Sequence, residues 1–482
     1  MKKFLIAILL SFALVQAFAA KAPNIIFIML DDCGYGDLGC YNPDSKIPTP
    51  HIDSLADQGM RFTDAHTTGS TCVPSRFGLL TGGYPLSSRG YEQSVNGQRR
   101  NGLITPDMPT IASVLRDNGY QTAMVGKWHN RFVNWDNKDP DVPDRLLGGP
   151  YGIGFDYWFG IPHSLDIEPY LYIRNDKPLA KPTERVTAND SIDEGWTRIQ
   201  GKFWREGNMS PGFKHDEVLE KFTQESIKFL EGSKTSKPGT RNPEKPFFLY
   251  IAMAGPHTPW LPSEEFAGKS GIGLYGDFLM EIDDCIGRIL KALEQSGESA
   301  NTLVCLTSDN GPVWYPQDVE KYDHTSVGPL RGMKGDLFEA GHRVPFIAKW
   351  PGKIQAGSNC DELVGLVDMM GTFASVAQIE LGETGPDSLN ILPLMLGSKK
   401  PVRETVLHPR KSLNGYRKGR YKYLNTNKSG GFTNLVPEPG APPGQLYDLE
   451  DDLGETNNLY RSMPEKVKEL KAELEAMLES EN

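Results

Sequence analysis

Asn24-Ile25-Ile26-Phe27-Ile28-Met29-Leu30, closed by Asp31-Asp32, decides the fold. The run is continuous and apolar, and it does not alternate. That pattern suits a strand buried on both faces, as in a parallel sheet. Three later runs behave alike. Thr122-Ala123-Met124-Val125 leads into Gly126-Lys127-Trp128-His129. Phe247 to Ala254 leads into Gly255-Pro256-His257, and Leu303 to Thr307 leads into Ser308-Asp309-Asn310. Val344 to Ala348 is a fifth apolar run.

Helical spacing lies between these runs. His51 to Gln58 follows Thr49-Pro50, a cap residue and a first-turn proline. Thr110 to Asn118, Asp216 to Leu230 and Tyr275 to Gln295 read the same way. Alternation of strands and helices predicts an α/β layered domain with a mostly parallel mixed sheet flanked by helices. After Gly382 the character changes to turn signals and short strand-like pieces such as Tyr421 to Leu424. A Pro/Gly-rich loop from Val436 to Gly444 follows, then a charged amphipathic helix from Pro464 to Leu478. This predicts a smaller C-terminal α+β domain with an antiparallel sheet. The expected division is 1–19 signal peptide, 20–382 catalytic domain and 383–482 C-terminal subdomain. The Asp-, Pro- and Gly-rich stretch from Val133 to Gly154 reads as a surface loop.

Composition narrows the function. The chain has 482 residues, 38% hydrophobic and 10% aromatic, enough for a sizeable core. A formal net charge of −11 argues against nucleic acid as a partner, though a small site can still be locally positive. Arg410-Lys411 with Arg417-Lys418 and Arg420 comes nearest to a basic run, and could equally be a solvated strand face. Lys2-Lys3, the apolar stretch Phe4 to Val15 and Ala17-Phe18-Ala19 read as an export signal cleaved after Ala19. The expected location is therefore periplasmic or secreted, in a bacterium, with no membrane attachment after cleavage. Of six cysteines, Cys33 and Cys40 are one conceivable local disulfide pair.

Four predicted strands end in residues able to bind metal, anion or proton. Ligands in open α/β sheets bind at the carboxyl ends of strands, so these residues point to one shared site. Asp31, Asp32, Asp309 and Asn310 offer only oxygen donors, the set preferred by calcium or magnesium. Calcium suits them better, because several protein oxygens can bind it with loose geometry. Lys127 brings a compact positive charge and His129 can move a proton near neutral pH. His257 sits in a rigid Gly-Pro-His-Thr-Pro loop, and Lys334 lies in Arg331-Gly332-Met333-Lys334-Gly335.

Cys72-Val73-Pro74-Ser75-Arg76, followed by Leu80-Thr81-Gly82, fills every fixed position of Cys-x-Pro-Ser-Arg-x-x-x-Leu-Thr-Gly. Further matching strings are NIIFIMLDDCGYGDLG (24–39), Arg61 to Ala65, Gly126 to His129, Ser308 to Gly311 and RGMKGDLFEAGHRVPFIAKW (331–350). Gln445 to Leu449 with Gly454-Glu455-Thr456 extends the match to the tail. Across nearly the whole mature chain the sequence resembles the arylsulfatase A-like branch of the type I sulfatases, in the alkaline phosphatase superfamily. The resemblance implies that Cys72 is oxidised to formylglycine by a formylglycine-generating enzyme. It implies that Asp31, Asp32, Asp309, Asn310 and the Cys72-derived side chain hold calcium. It also implies catalytic roles for Cys72, Arg76, Lys127, His129, His257 and Lys334, with Lys127, His257 and Lys334 contacting the substrate. Asn130 and Cys33 depart from the leucines common in relatives.

Export and the resemblance together imply a sulfated carbohydrate substrate. A phosphate or phosphonate monoester hydrolase of the same superfamily is the first alternative. An inactive secreted glycan-binding protein is the second. Arg89, Arg99, Arg100, His163, His324, His342 and Arg410 are candidates for the pocket wall.

Overall fold

The computed structural model describes residues 21–86, 102–136, 139, 141–232, 239–410 and 412–479. The export signal therefore lies outside the described residues. Asn24–Asp31 forms strand β1, buried along its whole length. Strand β2 is Gln121–Lys127, β3 is Phe247–Pro256 and β4 is Thr302–Ser308. These four lie side by side in the order β4, β1, β3, β2 inside a ten-stranded sheet. All three pairings are parallel, with Ile26 opposite Leu249 on one side and Val304 on the other. Phe346–Lys349, from the fifth apolar run, joins β4 antiparallel, which makes the sheet mixed.

The continuous apolar run of β1 is explained by its two covered faces. Ile25, Phe27 and Met29 enter one core with Phe77, Leu80, Leu115 and Phe373. Ile26, Ile28 and Leu30 enter the other with Phe222, Phe278 and Ile282. Helices Val218–Glu231 and Leu274–Gln295 cover the second face. Ile111–Asp117 and Met369–Val376 cover the first. The Ile111 helix starts where Thr110 accepts the Ser113 amide at 3.1 Å, a capping box. Thr49 precedes Pro50–Asp57 without capping it. Its hydroxyl instead reaches Asp53 and accepts the Gly39 amide.

Beyond these layers a four-stranded antiparallel sheet runs from Thr405 to Asp448, beginning with strand β5, Thr405–Arg410. Helix Pro464–Glu479 buries Val467, Leu470 and Leu474 against its Tyr416, Tyr423 and Leu446. Arg417, Lys418 and Arg420 are consumed internally. Arg417 grips both oxygens of buried Asp64 at 2.7 Å, and Arg420 pairs with Asp448 at 2.6 Å. All six cysteines are free thiols, so Cys33 and Cys40 are not bridged. Within Val133–Gly154 the described residues skirt the surface, but Trp135, Val142 and Leu146 turn into the core. No helix among the described residues is long and apolar enough to cross a membrane.

Candidate active site

The carboxyl ends of β4, β1, β3 and β2 carry Asp309-Asn310, Asp31-Asp32, His257 and Lys127 respectively. Asp32 bends the chain sharply with φ 67°, in the left-handed region. That turn lets the Asp32 amide donate to Asp309 Oδ1 at 3.3 Å. Asn310 Nδ2 donates to Asp32 Oδ1 at 2.6 Å, which ties the β1 and β4 ends together. Helix α1, Cys72–Thr81, brings its first residue to the same place. Cys72 Sγ lies 3.5 Å from Asp31 Oδ1 and 3.5 Å from Lys334 Nζ. Thr71, Cys72 and Val73 line the cavity above, so the partial positive charge of the helix N-terminus faces it.

Three cations neutralise the buried carboxylates. Arg76 holds Asp309 Oδ2 through Nε at 2.9 Å and Nη2 at 2.8 Å. Lys127 Nζ donates to Asp31 Oδ2. Lys334 Nζ sits on both oxygens of Asp32, at 2.5 and 2.7 Å. Burial opposes ionisation of Asp31, but Lys127, His257 and Arg76 hold its carboxyl below the usual range. Burial likewise opposes the charge on Lys334, and Asp32 overrides it to hold the ammonium above its usual value. The Cys72 thiol is pushed well up, by burial first and then by Asp309. An unmodified thiol here stays protonated and is a poor nucleophile.

Asp31, Asp32, Cys72 and His257 place one donor atom each within 4.8 Å of the others. Asn310 Oδ1 is buried with no hydrogen-bond partner. An amide oxygen left bare among carboxylates is the donor a hard cation takes. The histidines stand at the cavity wall. His257 Nδ1 donates to the Thr258 carbonyl at 2.8 Å, and its Nε2 lies 3.8 Å from Asp32 Oδ2. His129 Nδ1 meets Ser164 Oγ at 3.2 Å. Burial, then Lys127, keeps His129 well below the ordinary histidine value, so it is neutral.

The family described as Sulfatase matches residues 23–379, and that described as N-sulphoglucosamine sulphohydrolase, C-terminal, matches residues 334–482. The chain belongs to the sulfatase family. An N-acetylgalactosamine-6-O-sulfatase of Bacteroides thetaiotaomicron is 33% identical to this sulfatase, across 95% of this chain and 93% of its own. Human (Homo sapiens) arylsulfatase A is 32% identical, across 94% and 87%. A solved structure from work on metabolism of multiple glycosaminoglycans by Bacteroides thetaiotaomicron gives a TM-score of 0.81 at 31% identity, covering 95% of this chain and 100% of that one. A phosphonate monoester hydrolase of Agrobacterium radiobacter, at 17% identity and TM-score 0.60, covering 95% and 96%, shares the fold alone.

The cavity of this sulfatase measures about 250 Å³. Cys72, His129, His257 and Lys334 line it, together with residues the sequence did not single out: Asp166, Arg205, Trp260 and Phe432. Asp166 pairs with Arg205 and leaves its Oδ1 4.0 Å from His257 Nδ1. These residues come from loops without motifs, and no sequence signal marked them. The expected wall histidines are corrected. His324 is buried and bound to Asp37 at 2.9 Å, away from the cavity lining. His342 lies in a separate buried cluster with His66, their Nδ1 atoms 3.0 Å apart. His163 packs edge-on behind His129 and beside Trp135. Arg410 lies against Gly335, next to Lys334. Arg89, Arg99 and Arg100 fall outside the described residues. Of the departures, Cys33 is packing, its amide donating to Ser308 Oγ at 3.0 Å. Asn130 is buried and donates to the Trp128 carbonyl at 3.3 Å.

Proposed function

We propose that this sulfatase hydrolyses sulfate esters of a sulfated carbohydrate, using formylglycine made from Cys72 and a calcium ion. The observation that carries the reading is the position of Cys72. Its sulfur stands between Asp31 and Lys334 at the floor of a cavity that His129 and His257 also line. The oxygen donors of Asp31, Asp32, Asp309 and Asn310 would hold the calcium, with the side chain at position 72 completing the set. Asn310 Oδ1, buried without a partner, supports that assignment. When present, the cation and the hydrated aldehyde at position 72 supply a nucleophilic oxygen at sulfur and a second hydroxyl for release.

The remaining chemistry belongs to the chain. Arg76, Lys127 and Lys334 are fixed in advance by the acids they face, so they meet the sulfate charge without reorganising. The N-terminus of α1 adds further positive potential. His257 Nδ1–H donates to the Thr258 carbonyl, so the ring acts as general acid in its imidazolium form, giving its second proton from Nε2 to the departing alcohol oxygen. His129, neutral, is able to accept a proton at its cavity face. The relatives named for N-acetylgalactosamine-6-sulfate chemistry support a sulfated amino sugar or its oligosaccharides as substrate. Export to the periplasm or medium, where such glycans are met, is part of the same reading.

The decisive experiment pairs peptide mass at position 72 with sulfate release from defined sulfated oligosaccharides and, in parallel, phosphate release from an aryl phosphate. Aldehyde at Cys72 with released sulfate is expected. Matured protein that releases phosphate but not sulfate overturns the reading in favour of a phosphate or phosphonate esterase. Matured protein that binds the oligosaccharides and releases neither points to an inactive binding protein.

A further inference from the structure

A second cluster of potential ligands lies away from the catalytic cavity. His66 follows β1 and the Arg61–Phe62 region, His342 ends the short helix Glu339–His342, and His408 sits on β5 of the C-terminal sheet. One nitrogen from each lies within 4.8 Å of the others, and all three side chains are buried. None lines the cavity above Cys72.

Hydrogen bonds at the far side of each ring orient two of the three. His66 Nε2 meets Asp64 Oδ1 at 2.8 Å, and His342 Nε2 meets the Leu337 carbonyl at 3.2 Å. A carboxylate or carbonyl acceptor behind an imidazole is the usual support of a metal-ligating histidine. It places the proton on Nε2 and leaves Nδ1 as a lone pair. In that tautomer the two Nδ1 atoms, 3.0 Å apart, both offer lone pairs to the space between them. A cation held between them would satisfy both. A network without a cation serves two of the rings, because Lys422 Nζ can donate to His342 Nε2 and Arg417 Nη1 to His66 Nε2, each at 3.2 Å. It does not reach His408. Both nitrogens of His408 are buried with no hydrogen-bond partner, so its N–H is orphaned.

We propose that His66, His342 and His408 form a structural site for a transition cation of the zinc class. Imidazole donors suit zinc, whereas calcium selects oxygen. Zinc–nitrogen bonds of about 2.0–2.1 Å set nitrogens roughly 3.4 Å apart, within reach of small ring rotations from the 3.0 Å between the His66 and His342 Nδ1 atoms. His408 stacks on His342 with centroids 3.4 Å apart, so its ring swings out of the stack when it ligates. Asp64, Glu339 and Glu455 face Arg343, Arg417 and Lys422 around the cluster, an acid for each base. The site joins two layers. His66 and His342 belong to the large α/β body and His408 to the antiparallel sheet, so the cation would pin one to the other. It takes no part in the sulfate chemistry and does not depend on the calcium or formylglycine assignments.

The test uses full-length protein, stripped with chelator, reloaded with calcium and then given zinc alone. One tightly held zinc per chain, with a raised thermal midpoint, is expected in the wild type and in Cys72→Ala. His408→Phe keeps the stack and removes the donor, and should lose the zinc while its calcium-dependent activity persists. No bound zinc in the wild type overturns the proposal. So does zinc kept by His408→Phe and lost by Cys72→Ala, because the ion would then sit in the catalytic cluster. If His408→Phe does not fold, anomalous scattering at the zinc edge from wild-type crystals decides. A peak between His66 Nδ1 and His342 Nδ1 upholds the site, and its absence removes it.

Discussion

Replacing Lys334 by alanine separates charge balance from catalysis. The Lys334 ammonium is nearly buried and contacts both oxygens of Asp32, at 2.5 and 2.7 Å. Removing it leaves an anion whose other close partner is the neutral Asn310 amide, at 2.6 Å. Breaking a buried pair on one side costs about 3–5 kcal/mol, because the remaining charge is desolvated and unpaired. A divalent cation on Asp31, Asp32, Asp309 and Asn310 would supply that missing charge. Lys334→Ala should therefore lose most stability in chelator and regain more than the wild type when calcium is added. Catalysis has no such substitute, because Lys334 also reaches toward position 72, with Nζ 3.5 Å from Cys72 Sγ. Loss of one preorganised positive donor lowers kcat by roughly 10²–10³. Lys334→Arg should not restore it, since a planar guanidinium does not fit a point-charge site. The assays are thermal midpoints with and without calcium, and sulfate release at saturating substrate. A rate within threefold of the wild type would refute the assignment, as would equal calcium shifts in the two proteins.

Cys72→Ala should fold with an unchanged circular dichroism spectrum and release no sulfate, whereas Cys72→Ser should retain a covalent sulfate detectable by intact mass. Normal turnover by Cys72→Ala would end the proposed mechanism. His257→Ala should lower turnover of a sugar sulfate by roughly 10²–10⁴ and that of a nitrophenyl sulfate far less, because a good leaving group needs no proton; equal losses on both would remove His257 as the acid. Asp283 accepts the His51 and Ile52 amides at 3.1 and 2.8 Å, and burial raises its carboxyl to about 6. Folding then takes up a proton between the unfolded value near 4 and about 6, so the stability from this group is full at low pH and lost as pH rises through that window. Its share of the slope is at most about 1.4 kcal/mol per pH unit, and urea midpoints from pH 4 to 7 should flatten in Asp283→Asn.

The parts of this molecule legible in the sequence are those where the backbone dictates position. β1 is covered on both faces, so its apolar run could only be a central strand, and Asp31-Asp32 had to emerge at its carboxyl end. The same holds for Asp309 after β4 and Lys127 at the end of β2, and parallel pairing then sets those ends beside one another. The cavity wall obeys no such rule. Asp166, Arg205 and Phe432 arrive on loops whose paths depend on packing far along the chain. Histidine identity misled for the same reason. His324 and His342 have the chemistry of a binding site, yet neither enters the catalytic cavity. One anchors Asp37 and the other joins His66 and His408. A residue's chemistry is readable wherever it stands, but its direction is readable only where a regular element fixes it. The catalytic reading therefore rests on strand ends and one helix N-terminus. Substrate choice rests on loops, and that is why sulfate chemistry can be argued here from single residues while the identity of the sugar has to be measured.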